Sequence, residues 1–166
     1  MQEIFRCEVI GMRVNVMGNY FEDFEEGMII RHALSKTIFE SDNNLFSLLT
    51  MNQHPVHINA DYAERQQHGR ILVVGTLVFS LVVGMTVSDI SGKAIANLDY
   101  EKVEHVAPVF IGDTLYAESQ ILKCQESKSK RDRGIIYVET IAKNQNGVIV
   151  LKFRRHVMIK RKETSV

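Results

Sequence analysis

Two histidines on either side of a proline are the residues of this sequence best suited to chemistry. His54, Pro55 and His57 are nearly adjacent, they follow Asn52, and a long apolar run begins shortly after them. An unperturbed imidazole titrates near neutral pH, so a histidine can take up and release a proton under physiological conditions. Because Pro55 cannot continue a helix and favours an extended conformation at His54, residues 52–57 are predicted to form a stiff loop.

The apolar run over residues 71–87 predicts the element that positions this loop. The run is hydrophobic nearly all round, which is typical of a helix wrapped on most sides by other elements. Its length is near the lower limit for a membrane span, and glycine and hydroxyl residues interrupt it. We therefore predict a buried central helix with no polar face.

Strand patterns surround this helix. One strand is predicted over residues 28–39, followed by a short helix with Ser41 or Asp42 as its N-cap, and residues 61–65 predict a second short helical segment. Further strands are predicted over residues 94–106, 114–124, 134–143 and 148–160. Asn146 and Gly147, between the last two, are a strong hairpin signal. The predicted fold is α+β, with an antiparallel sheet rolled around one long helix.

Length and charge indicate one domain without a polyanionic partner. The chain has 166 residues, enough to bury a substantial core. We assign residues 1–19, which show little periodicity, to a lead-in and residues 20–166 to a single domain. The 20 basic residues balance the 20 acidic ones, so no net charge attracts nucleic acid or an anionic membrane. We expect neither among the partners.

Cysteine usage favours a reducing compartment. Cys7 and Cys124 are the two cysteines, too few for a disulfide framework and without paired metal-binding spacing. The first residues contain no sustained apolar stretch of the kind that a secretory signal needs. We therefore expect a cytoplasmic protein without a metal site.

Several features in a fixed order resemble the MaoC-like dehydratase family of hot-dog-fold proteins, which includes (R)-specific enoyl-CoA hydratases. These features are the H-P-V-H loop at residues 54–57, Gly69 and Arg70, the apolar helix, Pro108, and the turn at residues 112–115. The resemblance covers residues 20–160. It implies a hot-dog fold, with an antiparallel sheet wrapped around a long central helix. It also implies a homodimer or higher homo-oligomer with active sites near the subunit interface.

The loop itself departs from the family pattern, which reads approximately G-D-x-N-P-[LIV]-H. His57 falls on the family histidine, Asn52 on the aspartate, and His54 on the asparagine before the proline. In the family, the aspartate and the histidine together activate the water that is added. An M-N-x-x-P-[LIV]-H loop, together with the E-S-K-S stretch at residues 126–129, resembles a subgroup of hydratases for small branched or dicarboxylic acyl-CoAs, of the mesaconyl-CoA or itaconyl-CoA kind.

The resemblance gives the loop residues their expected roles. His57 is implied to be the catalytic base and acid, and Asn52, which can hold a water but cannot take up a proton, to position the water or the thioester. Either residue could instead only hydrogen-bond the loop. His54 faces either substrate or solvent. If a further acid is needed, His54, Asp42 and Asp61 are the nearby candidates, although Asp42 also suits a helix cap.

An enolate oxygen needs hydrogen-bond donors, and the family uses a backbone N–H at the start of the central helix. Free amides and the helix dipole favour negative charge there. We nominate the N–H of Gly75, with Val74 as a neighbouring substrate-binding residue. The alternative role of Gly75 is close helix packing.

A basic stretch between two predicted strands is the candidate site for coenzyme A. Arginine and lysine pair well with phosphate, so these side chains could hold the phosphates of the cofactor portion of the substrate. The alternative is an ordinary solvated turn. The residues concerned are Lys128, Lys130, Arg131 and Arg133.

The resemblance therefore implies an acyl-CoA hydratase, a lyase that reversibly adds water to a 2-enoyl-CoA. Coenzyme A would be part of the substrate, and no metal or redox cofactor is expected. Two alternatives remain. A hot-dog thioesterase would direct the same water to the thioester carbonyl. A non-catalytic acyl-CoA-binding protein would explain the replacement of the family aspartate by Asn52.

Overall fold

The predicted strands are present in the computed structural model, which describes residues 18–162. Six strands form: β1 (Ile29–Thr37), β2 (Ala94–Asn97), β3 (Glu101–His105), β4 (Thr114–Glu126), β5 (Arg133–Lys143) and β6 (Ile149–Lys160). The single strand predicted over residues 94–106 is wrong, because it is broken between β2 and β3. Asp99 lies in the break and accepts a hydrogen bond from the His156 N–H at 2.8 Å. Residues 1–17 of the predicted lead-in lie outside the described residues.

All these strands belong to one antiparallel sheet. Its order is β1-β4-β5-β6-β2, and β3 also pairs with β6. The hairpin predicted at Asn146 and Gly147 is confirmed. Gly147 has a positive φ of 76°, and the Asn144 N–H donates to the Val148 carbonyl at 2.9 Å. A left-handed residue is required at this turn, and glycine adopts that conformation without steric cost.

The α-helices are α1 (Glu40–Leu49), α2 (Pro55–Ile58), α3 (Ala60–Glu64) and α4 (Gly75–Met85), and the chain also forms a 3₁₀ turn (Phe21–Asp23) and a π-helical turn (Val87–Ser91). The N-cap of α1 is Phe39, not Ser41 or Asp42 as predicted. Asp42 still stabilises this helix end, since its carboxylate accepts a hydrogen bond from the Phe39 N–H at 2.9 Å. The second short helical segment is confirmed as α3.

The central helix begins later than predicted, at Gly75, and a π-helical turn over Val87–Ser91 follows its end at Met85. Leu72 pairs with Phe110 in an isolated β-bridge, and the Val73 N–H donates to the Val109 carbonyl at 2.9 Å, so the first part of the apolar run is extended. Hydrophobicity alone does not distinguish such a buried extended segment from a buried helix. The absence of a polar face is also wrong for the single chain, in which three small residues of α4 are exposed: Thr76, Ser80 and Gly84.

The core follows α4 along the sheet. Val74, Leu77 and Val82 of the helix region pack with Leu115 of β4 and Phe153 of β6 in one buried cluster. Fully buried apolar side chains of this kind each contribute about 1.5–3 kcal/mol of hydrophobic stabilisation. A second buried cluster, at the other end of β4 and β5, contains Phe21, Ile121, Ile136, Val157 and Ile159. The observed architecture is the predicted α+β arrangement of a sheet around one helix.

Candidate active site

His57 lies on a short helix whose N-terminal end is capped by a side chain. Pro55 occupies the first position of α2, and His54 precedes it in an extended conformation (φ −61°, ψ 128°). The His54 Nδ1 accepts a hydrogen bond from the Val56 N–H at 3.2 Å. Asn59 ends α2 and caps the following helix, α3. The predicted stiff loop is therefore a capped helical turn.

One ring nitrogen of His57 is fixed and the other is not. The His57 Nδ1 lies 2.7 Å from the carbonyl oxygen of Leu72. A carbonyl oxygen can only accept a hydrogen bond, so Nδ1 carries the proton in the neutral ring. The Nε2 atom then holds a free lone pair. Because the hydrogen bond to Leu72 also orients the ring, this histidine is arranged as a proton acceptor at Nε2.

Asn43 joins the His57 helix to the start of α4. Its side chain is fully buried on α1. The Nδ2 donates to the His57 carbonyl at 2.8 Å, and the Oδ1 accepts from the Val74 N–H at 2.9 Å. Buried polar groups are normally satisfied in this way. The sequence analysis missed Asn43, and the only available signal was an amide on the apolar face of a helix.

At the start of α4, the Gly75 N–H is free to bind an anion and the Val74 N–H is not. Val74 is the N-cap of α4, and its N–H already donates to Asn43. The proposed contribution of a Val74 N–H to an enolate is therefore not supported. Gly75 is the first residue of the helix, so its N–H has no acceptor within the helix and lies at the positive end of the helix dipole.

A cavity of about 160 Å³ brings His57 and Gly75 together. Its wall is otherwise formed by the extended segment before α4 and by the segment that follows β3. The lining residues are His57, Leu72, Val73, Gly75, Val78, His105, Ala107, Pro108 and Val109. The wall is thus mostly apolar, with two imidazoles and one helix N-terminus as its polar features. An apolar cleft with a few convergent polar groups is the usual form of a small-molecule site.

His105 is the second imidazole, and the sequence analysis missed it. It is the last residue of β3, and its ring packs against the Cα of Gly75. A Cβ atom at Gly75 would lie 2.9 Å from His105 Cε1 and 3.1 Å from His105 Nε2. The sequence suggested two roles for Gly75, an N–H donor and a site of close packing. They are compatible, since the residue that packs closely against His105 also offers the free N–H.

Comparison with known proteins shows the family of this chain. Residues 23–144 match the family described as MaoC like domain. This chain belongs to the MaoC-like dehydratase family. A mesaconyl-CoA hydratase from Cereibacter sphaeroides is 35% identical over 154 residues, which are 93% of this chain and 44% of that protein. A beta-methylmalyl-CoA dehydratase from Chloroflexus aurantiacus is 36% identical over 146 residues, 88% of this chain and 41% of that protein.

Solved structures identify the fold. A MaoC domain protein dehydratase from Chloroflexus aurantiacus has a TM-score of 0.85 at 35% identity, covering 92% of this chain and 43% of that chain. A Mycobacterium tuberculosis protein described as having a double hotdog fold has a TM-score of 0.82 at 20% identity, covering 91% of this chain and 47% of that chain. This MaoC-like chain has the hot-dog fold, and it spans less than half the length of these relatives.

Two loop residues of the MaoC-like pattern do not line the cavity. Asn52 is half-buried and follows Met51, whose φ of 59° is left-handed. Its role in holding water stays a prediction. His54 is exposed, and its Nδ1 serves as the cap of α2, so its ring contributes to the local fold. The edge of the His54 ring approaches the His57 ring, with centroids 6.2 Å apart.

The two nearby carboxyls are held elsewhere. Lys36 lies 2.8 Å from the Asp42 carboxylate, and this hydrogen bond together with that from the Phe39 N–H lowers the pKa of Asp42. Asp61 is exposed and forms a bidentate ion pair with Arg65. Neither carboxyl lines the cavity. Asp42 and Asp61 are therefore not positioned as acids for this site.

The structure separates the predicted coenzyme A residues from His57 within the chain. Lys128, Lys130, Arg131 and Arg133 lie at the turn between β4 and β5. The cavity lies near the opposite end of that hairpin, where Phe110 precedes β4. Since β4 has 13 residues, about 40 Å of strand lies between the two ends. This turn is therefore not placed to hold a substrate that reacts at His57 of the same chain.

Arg70 is a basic residue that does lie beside the cavity. Its guanidinium carbon is 3.6 Å from the centroid of the Phe110 ring. Phe110 pairs with the cavity residue Leu72 and follows the cavity residue Val109. The Arg70 side chain is exposed, and no acidic side chain among residues 18–162 forms an ion pair with it. A stacked, unpaired guanidinium suits phosphate recognition.

The part of the chain that the structure describes contains neither a candidate metal site nor a candidate membrane span. No group of three or more histidine, cysteine, aspartate or glutamate side chains there could hold a metal ion. No helix over residues 18–162 is long and apolar enough to cross a bilayer.

Proposed function

We propose that this chain catalyses the reversible addition of water to the double bond of a 2-enoyl-CoA with a small branched or dicarboxylic acyl group. The observation that carries the proposal is one cavity lined by both His57, whose Nδ1 is bound to the Leu72 carbonyl, and Gly75, whose N–H has no acceptor within α4. A conjugated thioester needs a base for water and a donor for its carbonyl oxygen. This cavity supplies both.

In the first step, the His57 Nε2 takes a proton from a water molecule as the water oxygen bonds to C3 of the enoyl group. Asn52 is proposed to help hold that water. The electron pair of the double bond moves towards the carbonyl, and the thioester oxygen becomes an enolate oxygen. The Gly75 N–H and the positive end of the α4 dipole stabilise this charge.

In the second step, the enolate collapses and C2 takes the proton from the His57 imidazolium. The ring returns to its neutral state, with Nδ1–H still bound to the Leu72 carbonyl. One water has been added, and the enzyme is unchanged. The reaction consists of proton transfer and charge stabilisation, so the proposal includes no metal or redox cofactor.

The size of the cavity supports a short acyl group. Its volume of about 160 Å³ equals that of about five water molecules at about 30 Å³ each. The two relatives described above are named for reactions of mesaconyl-CoA and beta-methylmalyl-CoA. A short acyl chain would fill this space against Val73 and Val78, whereas a long one would have to leave it.

We propose that the chain acts in the cytoplasm as a homodimer or higher homo-oligomer. The double hotdog protein is about twice as long as the matched region of this chain. A second copy would supply the second fold unit, and the outer side of β3, next to His105, has no strand partner among residues 18–162. Light scattering of the purified protein tests this, since a monomeric mass at micromolar concentration contradicts it.

The reaction is tested with a panel of crotonyl-CoA, mesaconyl-CoA, itaconyl-CoA and one medium-chain enoyl-CoA. Both the conjugated absorbance and free thiol are followed. Loss of absorbance without thiol release is the expected result and identifies the acyl class. Thiol release would instead indicate a thioesterase. Binding of the thioesters without change in either signal would indicate an acyl-CoA-binding protein.

A further inference from the structure

We propose that His105 is a catalytic residue, whose imidazole N–H donates a hydrogen bond to the thioester oxygen together with the Gly75 N–H. This inference rests on the proposed hydratase function and deepens it. In this proposal, His105 stabilises the negative charge on the thioester oxygen, and His57 alone takes up and releases protons.

The backbone of β3 fixes where the His105 ring lies. His105 is paired with Leu151 in β6, and Leu151 is fully buried. The next residue, Val106, donates its N–H to the Val150 carbonyl at 2.9 Å. The strand is therefore anchored on both sides of the Cα that carries the imidazole. A side chain on a paired strand is held more firmly than one on a loop, as a catalytic donor requires.

The ring of His105 packs directly on the first residue of α4. Three of its atoms would lie within 3.3 Å of a Cβ at Gly75, with Cε1 the nearest at 2.9 Å. Contacts that short are not tolerated, so any larger residue at this position must displace the imidazole. Nε2 of the ring is therefore beside the helix N-terminus, where an enolate oxygen would accept the Gly75 N–H.

Both nitrogens of the His105 ring are available to a ligand. No side chain among residues 18–162 hydrogen-bonds or forms an ion pair with this ring, in contrast to the Nδ1 of His57. The two histidines are the only polar side chains in the described lining of the cavity. Any proton or hydrogen bond that the lining side chains give to the substrate must come from one of them.

The roles of the two imidazoles follow from their partners. His57 has a fixed Nδ1–H and a lone pair at Nε2, so it takes the proton of the water. His105 keeps its N–H throughout and only donates a hydrogen bond, first to the carbonyl oxygen and more strongly to the enolate. No proton is lost or gained at His105, so the overall balance of the two steps is unchanged.

Two substitutions separate donation from packing. His105→Leu removes the donor while keeping an apolar side chain of similar size, and it is expected to lower kcat by about 10²–10³ with little change in KM. His105→Gln restores an N–H donor and is expected to recover about tenfold of that loss. A matched control, His156→Gln, changes a half-buried histidine outside the cavity and is expected to leave kcat unchanged.

A measurement without turnover distinguishes failure of this inference from failure of the hydratase assignment. Butyryl-CoA labelled with ¹³C at the thioester carbonyl cannot be hydrated, and its carbonyl resonance moves downfield when hydrogen bonds polarise it. We expect a downfield shift on binding to the wild-type protein and a smaller one with His105→Leu. Equal shifts in the two proteins, or equal kcat values, would overturn the role of His105 whether or not enoyl-CoA is hydrated. Absence of binding, both by butyryl-CoA and by the saturated analogue of each enoyl-CoA in the panel, would overturn both proposals.

Discussion

The two ends of α4 use histidine in opposite ways. At the N-terminal end, His57 and His105 line a cavity and keep nitrogens free. At the C-terminal end, the His32 side chain is fully buried and both its nitrogens are bound: Nδ1 lies 2.7 Å from the Asp89 carboxylate, and Nε2 lies 2.8 Å from the Ser119 hydroxyl. We call His32, Asp89, Ser119, Thr140 and Arg155 the buried polar cluster.

Different groups also lie at the two ends of the α4 helix dipole. Arg155 is fully buried, and its guanidinium donates to the hydroxyl of Thr86, the C-cap of α4, at 2.7 Å. A cation belonging to the protein thus occupies the negative end of the helix. The positive end, at Gly75, has no acidic residue in its first turn, and the proposed reaction would place the enolate oxygen there.

The comparison shows that a reactive-looking constellation is not itself a site. Ser119, His32 and Asp89 have the chemical order of a hydrolase triad. However, Ser119 is only 1% exposed, and its hydroxyl is also bound to Thr140 at 2.8 Å. A substrate cannot reach this serine without unfolding the sheet around it. Access to a free nitrogen, rather than the presence of an imidazole, distinguishes the two regions.

The largest expected effect is on catalysis at the N-terminal end. His57→Ala removes the proposed base and is expected to lower kcat by about 10²–10⁴. The thermal midpoint should change little by comparison, since His57 is only half-buried. Steady-state kinetics on the best enoyl-CoA and a thermal scan measure both. If turnover stayed within a fewfold of wild type, the assignment of His57 would be wrong.

The opposite pattern is expected at the buried polar cluster. His32→Ala leaves Asp89 and Ser119 without their shared partner and should destabilise the protein by about 2–4 kcal/mol. Turnover per folded molecule should not change, because His32 is not at the cavity. Urea unfolding measures the free energy of unfolding, and kcat per folded molecule measures turnover. A loss of kcat at full stability would show that the two ends of α4 are coupled.

The parts of this comparison that were predictable from the sequence are those that depend on neighbouring residues. The proline between His54 and His57, the Asn146 and Gly147 turn, and the apolar run all act locally. These local features were enough to single out His57 and Gly75, which line the same cavity in the structure. The start of α4 was placed too early because the pairing of Leu72 with Phe110 is a contact between distant segments.

The residues that were missed meet their partners only in the folded chain. His105 lies 30 positions after Gly75, and its strand pattern resembles any other edge strand. Asn43 is an ordinary amide in an amphipathic helix until its contacts with His57 and Val74 are seen. The separation of the basic turn from the cavity of the same chain was hidden for the same reason, since sequence does not show at which end of a hairpin a cavity forms.

Acid should weaken the buried polar cluster. Burial lowers the pKa of His32 below the ordinary value of 6.5, an effect that Arg155 reinforces and Asp89 opposes. As the pH falls through that ordinary value, the unfolded chain binds a proton while His32 stays neutral, so the free energy of unfolding decreases until the lowered pKa is passed. Urea unfolding at pH 7.5 and 5.5 measures the decrease. His32→Gln should show less of it, and parallel losses in both proteins would exclude His32 as the source.

The smallest effect is expected from the arginines. Arg70 is exposed beside the cavity and stacked on Phe110, whereas Arg131 lies on the turn at the far end of the β4–β5 hairpin. If Arg70 contacts a phosphate of coenzyme A, Arg70→Ala should raise KM about three- to tenfold at low salt, or about 1 kcal/mol. The same acyl group on N-acetylcysteamine, which has no phosphate, should show no such increase.

Arg131→Ala is the matched control and should behave as wild type, provided that each site is built from one chain. A raised KM for Arg131→Ala with an unchanged one for Arg70→Ala would mean that the basic turn of a second copy reaches the cavity, which would join the two regions that a single chain keeps apart.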